Sequence, residues 1–121
     1  MAISRILVVD DSPTERFFLS ELLVKNGYLV SMAESGEEAV AQAKQTLPDL
    51  IVMDVVMSGM NGYQATRMIT KEEVTKHIPV IMCTTKGQET DKVWGIRQGA
   101  KAYLVNPVKP EELLSQIKAL G

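Results

Sequence analysis

With 121 residues, of which 45% are hydrophobic and 23% charged, the chain can form one core, and we expect a single domain over residues 1–121 without an output domain. The formal net charge of −2 and the scattered basic residues argue against a nucleic-acid-binding protein, and a single cysteine, Cys83, excludes an intramolecular disulfide. No apolar run approaches the roughly 20 residues of a membrane-spanning helix and the N-terminus lacks a secretory signal, so we expect a cytoplasmic protein without membrane insertion.

The first half of the chain predicts three strands, each followed by a helix. The strands are apolar runs at residues 3–9, 29–33 and 50–53. Ser12 with Glu15 and Ser35 with Glu38 have the spacing of capping boxes, and they predict where the first two helices begin. Residues 62–69 predict the third helix. The polar and charged segment 70–77 predicts a solvated helix end or loop.

The second half predicts two further strand and helix pairs. Strands are expected at residues 80–83 and 102–105, and helices at 89–98 and from Pro110 onward. Val93 and Ile96 are expected to face inward from the fourth helix. The fifth helix carries an apolar stripe of Leu113, Leu114, Ile117 and Leu120. Five alternating pairs predict an α/β three-layer sandwich around a five-stranded parallel sheet.

Acidic side chains follow the predicted strands at the points where the strands end. Asp10 and Asp11 follow the first strand, Asp54 follows the third, and Thr84 follows the fourth. Because the carboxyl ends of parallel strands share one edge, we expect these groups to converge there. Converging carboxylates need a cation, and Mg²⁺ suits a site of oxygen ligands. With such an ion, an exposed carboxylate can attack a phosphoryl group to which Thr84 donates a hydrogen bond.

These motifs resemble those of bacterial response-regulator receiver domains, the CheY-like single-domain proteins, over the entire chain. The resemblance implies a flavodoxin-like fold with Asp54 as the phosphoacceptor. It also implies that Mg²⁺ binds through Asp11, Asp54 and the main-chain carbonyl of Val56, while Asp10 acts largely through water.

The resemblance further implies how the signal enters and leaves the protein. The phosphoryl group comes from a histidine kinase, Thr84 and Tyr103 then shift together, and a protein target binds the fourth helix, fifth strand and fifth helix of a monomer. Such a domain phosphorylates and dephosphorylates itself but turns over no separate metabolite, so it is not a conventional enzyme. The runs DDSPTE and TTKGQETDKVWGIRQGA are similar to regulators of pilus-type chemotaxis systems, which control twitching motility and, in some photosynthetic bacteria, phototaxis.

Two positions depart from the family pattern. Asn106 stands where the family has a lysine, and Ser58 stands where it usually has a proline. The three carboxylates carry a formal −3 and Mg²⁺ carries +2, so the resting site keeps −1 without the lysine. We expect weakened phosphate chemistry that nevertheless persists, since the metal carries the largest local charge. The family's cis peptide bond is possible at Asn106-Pro107 because X-Pro bonds allow it.

Three alternatives remain open from the residues. Asn106 suggests a docking module that acts without phosphorylation. An aspartate-nucleophile phosphohydrolase usually has an acid two residues after the nucleophile, where this chain has Val56. A flavin carrier of the same fold needs a glycine- and hydroxyl-rich phosphate loop, but the turn at residues 10–14 is acidic.

Overall fold

A computed structural model describes residues 2–121, which form five strands alternating with five helices. The strands are β1 (Arg5–Val9), β2 (Leu29–Ala33), β3 (Leu50–Met53), β4 (Val80–Thr84) and β5 (Ala102–Val105). The helices are α1 (Pro13–Lys25), α2 (Gly36–Thr46), α3 (Gly62–Lys71), α4 (Glu89–Arg97) and α5 (Pro110–Leu120). None of these helices has the length and apolarity that crossing a bilayer requires.

The sheet confirms the predicted architecture. Its strand order is β2-β1-β3-β4-β5, and every neighbouring pair is parallel. One face packs against apolar side chains of α1 and α5, and the opposite face packs against α2 and α3. A smaller cluster beneath α4 contains Met82 and Tyr103. Because all strands run the same way, the residues that follow them collect at one edge of the sheet.

Helix caps explain why the helices start where they do. The hydroxyls of Ser12 and Ser35 each accept a hydrogen bond from the backbone N–H three residues later, at 3.4 and 3.1 Å. Each cap therefore supplies the first of the two bonds in the predicted boxes. A complete box, which the sequence analysis missed, joins Asn61 and Gln64 at the start of α3. This cap fixes the helix that follows the loop after Asp54.

Element boundaries differ from the prediction by one residue at the ends of β4 and α4 and by two residues at β1 and α3. β1 begins at Arg5 rather than at residue 3, and α3 continues to Lys71 rather than ending at residue 69. Thr75 lies in the segment expected to be solvated, yet it is buried and its hydroxyl donates to the carbonyl of Ile69 at 2.7 Å. The turn after α3 is therefore tied to the helix by a buried hydrogen bond.

The predicted inward face of α4 is wrong. Val93 and Ile96 are 46% and 48% exposed, and the buried residue of this helix is Gly95. The helix lies with its glycine against the sheet, so the apolar side chains on either side of that glycine point toward solvent. Leu120, placed in the predicted stripe of α5, is likewise 37% exposed, whereas Leu113 and Ile117 are buried as expected.

Candidate functional site

Three carboxylates meet at the carboxyl edge of the sheet. Asp10 and Asp11 follow β1, Asp54 follows β3, and one carboxylate oxygen from each lies within 4.8 Å of the others. Asp10 is buried, Asp54 is half-buried and Asp11 is exposed. The predicted convergence of these acids is therefore present, and the group opens to solvent on the side of Asp11.

The backbone around Asp54 is held by its neighbours on both sides. Its N–H donates to the carbonyl of Val9 at 2.9 Å, which continues the pairing of β3 with β1. A Cβ at Gly62 would clash with the carbonyl oxygen of Asp54, and the N–H of Gly62 donates to Val55 at 2.9 Å. Gly62 thus allows the start of α3 to approach the end of β3 closely, so that Asp54 is set in a fixed backbone frame.

Burial makes the charged form of this site costly. Desolvation and, to a smaller extent, the nearby charge of Asp54 raise the pKa of Asp10 from 3.8 to about 6, although a hydrogen bond from the Ser12 N–H opposes this shift. The pKa of Asp54 is also raised by desolvation, although the Val55 N–H, at 2.8 Å, and the Thr84 hydroxyl lower it. Both shifts favour protonation because several negative charges share little water. A bound cation would relieve this cost.

The donor set fits Mg²⁺. All three side chains offer hard carboxylate oxygens, and the exposure of Asp11 leaves room for the waters that this ion keeps. Val56, whose carbonyl the family resemblance assigns to the metal, lies two residues after Asp54. It lines a cleft of about 300 Å³ together with Val55, Met57, Asn61, Tyr63 and Lys86.

Thr84 and Tyr103 are joined through the backbone of Lys86. The Thr84 hydroxyl is buried and accepts a hydrogen bond from the Lys86 N–H at 3.3 Å. The carbonyl of the same residue accepts a hydrogen bond from the Tyr103 hydroxyl at 2.7 Å. The structure therefore brings Thr84 to the acids. Tyr103, on β5, does not reach the acids directly and is connected to Thr84 through the main chain of Lys86.

Asn106 reaches the same edge of the sheet. Its N–H donates to the carbonyl of Thr84 at 2.8 Å, and its peptide bond to Pro107 is cis. Lys109 is the exposed residue before α5. At the position of the family lysine, the chain thus offers an amide that can donate a hydrogen bond without positive charge.

Two basic side chains near the site, which the sequence analysis did not single out, bind other groups. Arg16 donates to the main-chain carbonyl of Asp10 at 2.7 Å and lies 3.7 Å from a carboxylate oxygen of Glu34. Lys86 lies 3.7 Å from a carboxylate oxygen of Asp91. Arg16 lies in the first helical turn after Asp10 and Asp11, and this position is the one feature of the sequence that could have predicted its contact with the site.

Comparison with known proteins agrees with this geometry. The family model of the response regulator receiver domain matches residues 6–118. The chain belongs to this family. Protein PilH of Pseudomonas aeruginosa (strain ATCC 15692) is 56% identical over 117 residues, which cover 97% of this chain and 97% of PilH. The similarity to pilus-type regulators that the sequence analysis based on two short motifs therefore extends over almost the full length of the chain.

Solved receiver-type structures share the fold. The Vibrio cholerae chemotaxis protein CheY4 superposes with a TM-score of 0.91 at 34% identity, covering 99% of this chain and 100% of CheY4. The receiver domain of the sensor histidine kinase PA1611 from P. aeruginosa PAO1, solved with magnesium coordinated in its active site cleft, gives 0.90 at 30% identity. That match covers 98% of each chain. Receiver domains are signalling phosphoacceptors that bind Mg²⁺, take phosphate from histidine kinases and bind downstream targets, rather than conventional enzymes.

Proposed function

We propose that this receiver domain accepts a phosphoryl group from a histidine kinase on Asp54, with Mg²⁺ held by Asp10, Asp11, Asp54 and the carbonyl of Val56. The observation that carries the proposal is the cluster of three carboxylates within 4.8 Å, one of them buried and with its pKa raised to about 6. Acidic residues that only cap a helix or a turn would gain no stability from lying so close together. A site that receives a cation and then a phosphoryl group requires it.

The proposed transfer uses few protein groups. A carboxylate oxygen of Asp54 forms a bond to phosphorus as the bond from phosphorus to the donor nitrogen breaks, and that nitrogen takes a proton from solvent. Bound Mg²⁺ neutralises charge on the transferred oxygens. Thr84 then turns its hydroxyl toward one of those oxygens, and water later hydrolyses the acyl phosphate. The domain thus carries out its own phosphorylation and dephosphorylation.

The proposed output surface is the face formed by α4, β5 and α5. It presents the exposed apolar side chains Val93, Trp94, Ile96 and Val105. A protein target with a complementary apolar patch suits this face. The similarity to PilH favours a role in type IV pilus motility. We expect the domain to act as a monomer. Because Asn106 replaces the family lysine, we also expect weaker coupling between Asp54 and this face.

The test is labelling of the protein with acetyl phosphate, a small phosphodonor, with and without Mg²⁺. We expect label on wild type only when Mg²⁺ is present, no label on Asp54→Asn, and more label on Asn106→Lys. The competing docking module, which acts without phosphorylation, predicts unlabelled wild type and label restored by Asn106→Lys. Label that resists alkali and hydroxylamine, or label that persists in Asp54→Asn, would contradict an acyl phosphate at Asp54.

A further inference from the structure

Arg16 of α1 binds the main chain between two of the proposed metal ligands. Its Nη1 donates to the carbonyl oxygen of Asp10 at 2.7 Å. This oxygen belongs to the peptide group that joins Asp10 to Asp11. Because a peptide group is planar, a bond to its oxygen also restrains the N–H of Asp11 and the position from which the Asp11 side chain starts. Arg16 therefore restrains the backbone of the acidic pair.

The peptide group on the other side of Asp10 is held by the sheet. The N–H of Asp10 donates to the carbonyl of Ala33 at 3.2 Å, which extends the pairing of β1 with β2 by one residue. The peptide groups before and after Asp10 thus each have a hydrogen-bonding partner. The first partner is main chain, but the second is the side chain of Arg16. The orientation of the Asp10–Asp11 peptide therefore depends on a side chain that a substitution can remove.

A second contact orients the guanidinium of Arg16. Its Nη2 lies 3.7 Å from Oε1 of Glu34, the residue that follows β2. The side chain of Arg16 is 14% exposed, whereas that of Glu34 is 71% exposed. A planar guanidinium can address two acceptors at once, and an ion pair with so exposed a partner contributes little by itself. The contact with Glu34 therefore supports the orientation of Arg16, and the bond to the Asp10 carbonyl restrains the site.

Asp11 needs this support more than the other two acids. Asp10 is buried and Asp54 is half-buried, but Asp11 is exposed. Packing does not hold an exposed side chain on a loop, so its position depends on the backbone that carries it. Groups that orient metal ligands in this way typically contribute about 10–100-fold to the affinity for the metal.

We propose that Arg16 is a positioning residue that holds the Asp10–Asp11 peptide in the orientation from which Asp11 binds Mg²⁺, with Glu34 as its support. The proposal rests on the proposed Mg²⁺-dependent phosphorylation of Asp54 and names a determinant of the metal affinity of that site. Arg16 acts through the main chain of Asp10 and leaves the carboxylates available for the ion.

The sign of the effect separates positioning from charge. Arg16 places a positive charge beside a site that binds a cation, so by Coulomb's law alone its removal should strengthen Mg²⁺ binding. Loss of the hydrogen bond to the Asp10 carbonyl should instead weaken binding, because Asp11 is no longer held near the other acids. A positioning role therefore predicts a weaker site when a positive charge is removed.

The experiment titrates the full, metal-free chain with magnesium chloride and follows the amide NMR signals of residues 10–12. Arg16→Met keeps much of the side-chain length without its donors, and we expect a Mg²⁺ dissociation constant about tenfold higher than in wild type. Arg5→Met is the matched control, because Arg5 donates to the carbonyls of Thr46 and Leu47 at the opposite end of the sheet. This variant should keep the wild-type constant. An Arg16→Met constant equal to or below that of wild type, or an equal rise in Arg5→Met, would overturn the proposal.

A conservative variant tests whether the hydrogen bond to the carbonyl is responsible. Arg16→Lys keeps the charge and can still donate to the Asp10 carbonyl, although its ammonium group cannot address Glu34 through the same planar group. We expect its dissociation constant to lie between those of wild type and Arg16→Met. A constant for Arg16→Lys as high as that of Arg16→Met would contradict a role through this bond.

A double-mutant cycle tests the support by Glu34. Glu34→Gln should raise the Mg²⁺ dissociation constant about twofold in the wild-type background, in keeping with an exposed ion pair. In the Arg16→Met background the same substitution should produce no further rise, because Glu34 has no guanidinium left to orient. An equal rise in both backgrounds would contradict the support of Arg16 by Glu34.

A failure of the proposed function gives a different result. In that case Mg²⁺ leaves the amide signals of wild type unshifted, and acetyl phosphate leaves Asp54 unlabelled. NMR relaxation of the Asp11 amide, measured without metal, then decides the role of Arg16. The order parameter of this amide should fall in Arg16→Met and keep its wild-type value in Arg5→Met. An order parameter that Arg16→Met leaves unchanged would refute the restraint of the peptide by Arg16.

Discussion

Carboxylates lie at both ends of the sheet, in opposite surroundings. At the amino end, Asp49 accepts hydrogen bonds from the backbone N–H groups of Ser4 and Arg5 at 3.0 and 2.9 Å, and these bonds lower its pKa. At the carboxyl end, burial raises the pKa of Asp10 to about 6 and also raises that of Asp54. The same side chain is stabilised in its charged form at one edge and destabilised at the other.

The polarity of parallel strands and the different burial of the acids together explain the difference. Strands that all run one way present free N–H groups at their amino ends and free carbonyls at their carboxyl ends. Asp49 is therefore satisfied by the start of β1, and Arg5 completes the amino end by donating to the carbonyls of Thr46 and Leu47. At the carboxyl end, N–H groups of Ser12 and Val55 also donate to the acids, but desolvation outweighs these bonds and raises the pKa values of Asp10 and Asp54. A bound cation would supply the missing positive charge at the carboxyl end, and this is why we propose that edge as the reactive one.

The largest effect is expected from removing an acid at the carboxyl edge, with the matched change at the amino edge as the control. Asp11→Asn should raise the Mg²⁺ concentration for half-maximal acetyl phosphate labelling by about 100-fold or more, since even outer-shell partners of metal ligands typically contribute 10–100-fold. Asp49→Asn should leave this concentration unchanged because Asp49 lies at the other end of the sheet. A similar Mg²⁺ requirement in both variants would contradict the division between the two edges.

The pH dependence of stability should reveal the edges separately. The pKa of Asp10 is about 6 in the folded protein and 3.8 in the unfolded chain, so the folded state holds this proton more tightly. Stability from protonation is present at low pH and is lost as the pH rises through about 6. In EDTA we expect the free energy of unfolding, measured with urea, to fall by about 2 kcal/mol between pH 4 and pH 7.

Adding Mg²⁺ at pH 7 should restore the lost free energy of unfolding. The substitution Asp10→Asn should remove most of the change in this free energy between pH 4 and pH 7. Asp49 contributes with the opposite sign: its stabilisation is present above pH 3.8 and disappears as the pH falls through its lowered pKa. If the free energy of unfolding in EDTA does not change between pH 4 and pH 7, the charged carboxylates at the carboxyl edge do not destabilise the folded state.

A positive charge added at the reactive edge should have a somewhat smaller effect. Asn106→Lys is expected to increase the initial rate of acetyl phosphate labelling about tenfold, because a charge-assisted hydrogen bond contributes roughly 1.5–3 kcal/mol. Asn106→Met, which adds length without charge, is the control and should not accelerate labelling. Equal rates in the two variants would mean that the missing charge does not limit transfer.

The smallest effect is expected at the amino edge. Asp49→Ala removes two hydrogen bonds to a partly exposed carboxylate and should lower the free energy of unfolding by about 1 kcal/mol at pH 7. Urea denaturation measures this change, while Mg²⁺-dependent labelling should remain at the wild-type level. Loss of labelling without loss of stability would assign Asp49 a role at the site that its position does not suggest.

Local patterns were sufficient to predict most elements and the placement of the acids. β3 and β5 lie at the predicted residues, because a short apolar run between turn residues is compatible with few structures other than a buried strand. The position of Asp10, Asp11 and Asp54 followed from strand polarity, which brings the ends of distant strands to one edge. The fold assigned from the family resemblance is also confirmed.

Contacts between distant elements were not predictable. Val93 and Ile96 were expected to be buried because apolar residues on a helix usually face the core, but the close contact of Gly95 with Tyr103 sets the orientation of α4. Thr75 was expected in solvent because its neighbours are charged. Tyr63 gave no sequence signal, since a half-buried tyrosine on a helix resembles ordinary packing.

The sequence by itself determined the order of strands and helices, the edge at which the acids gather and the absence of a lysine at position 106, since each depends on local pattern or residue identity. Only the tertiary structure decided the energetic state of those acids and the contacts of Tyr103. Desolvation and hydrogen bonding depend on atoms from elements far apart in the chain, and the orientation of α4 decides which of them meet.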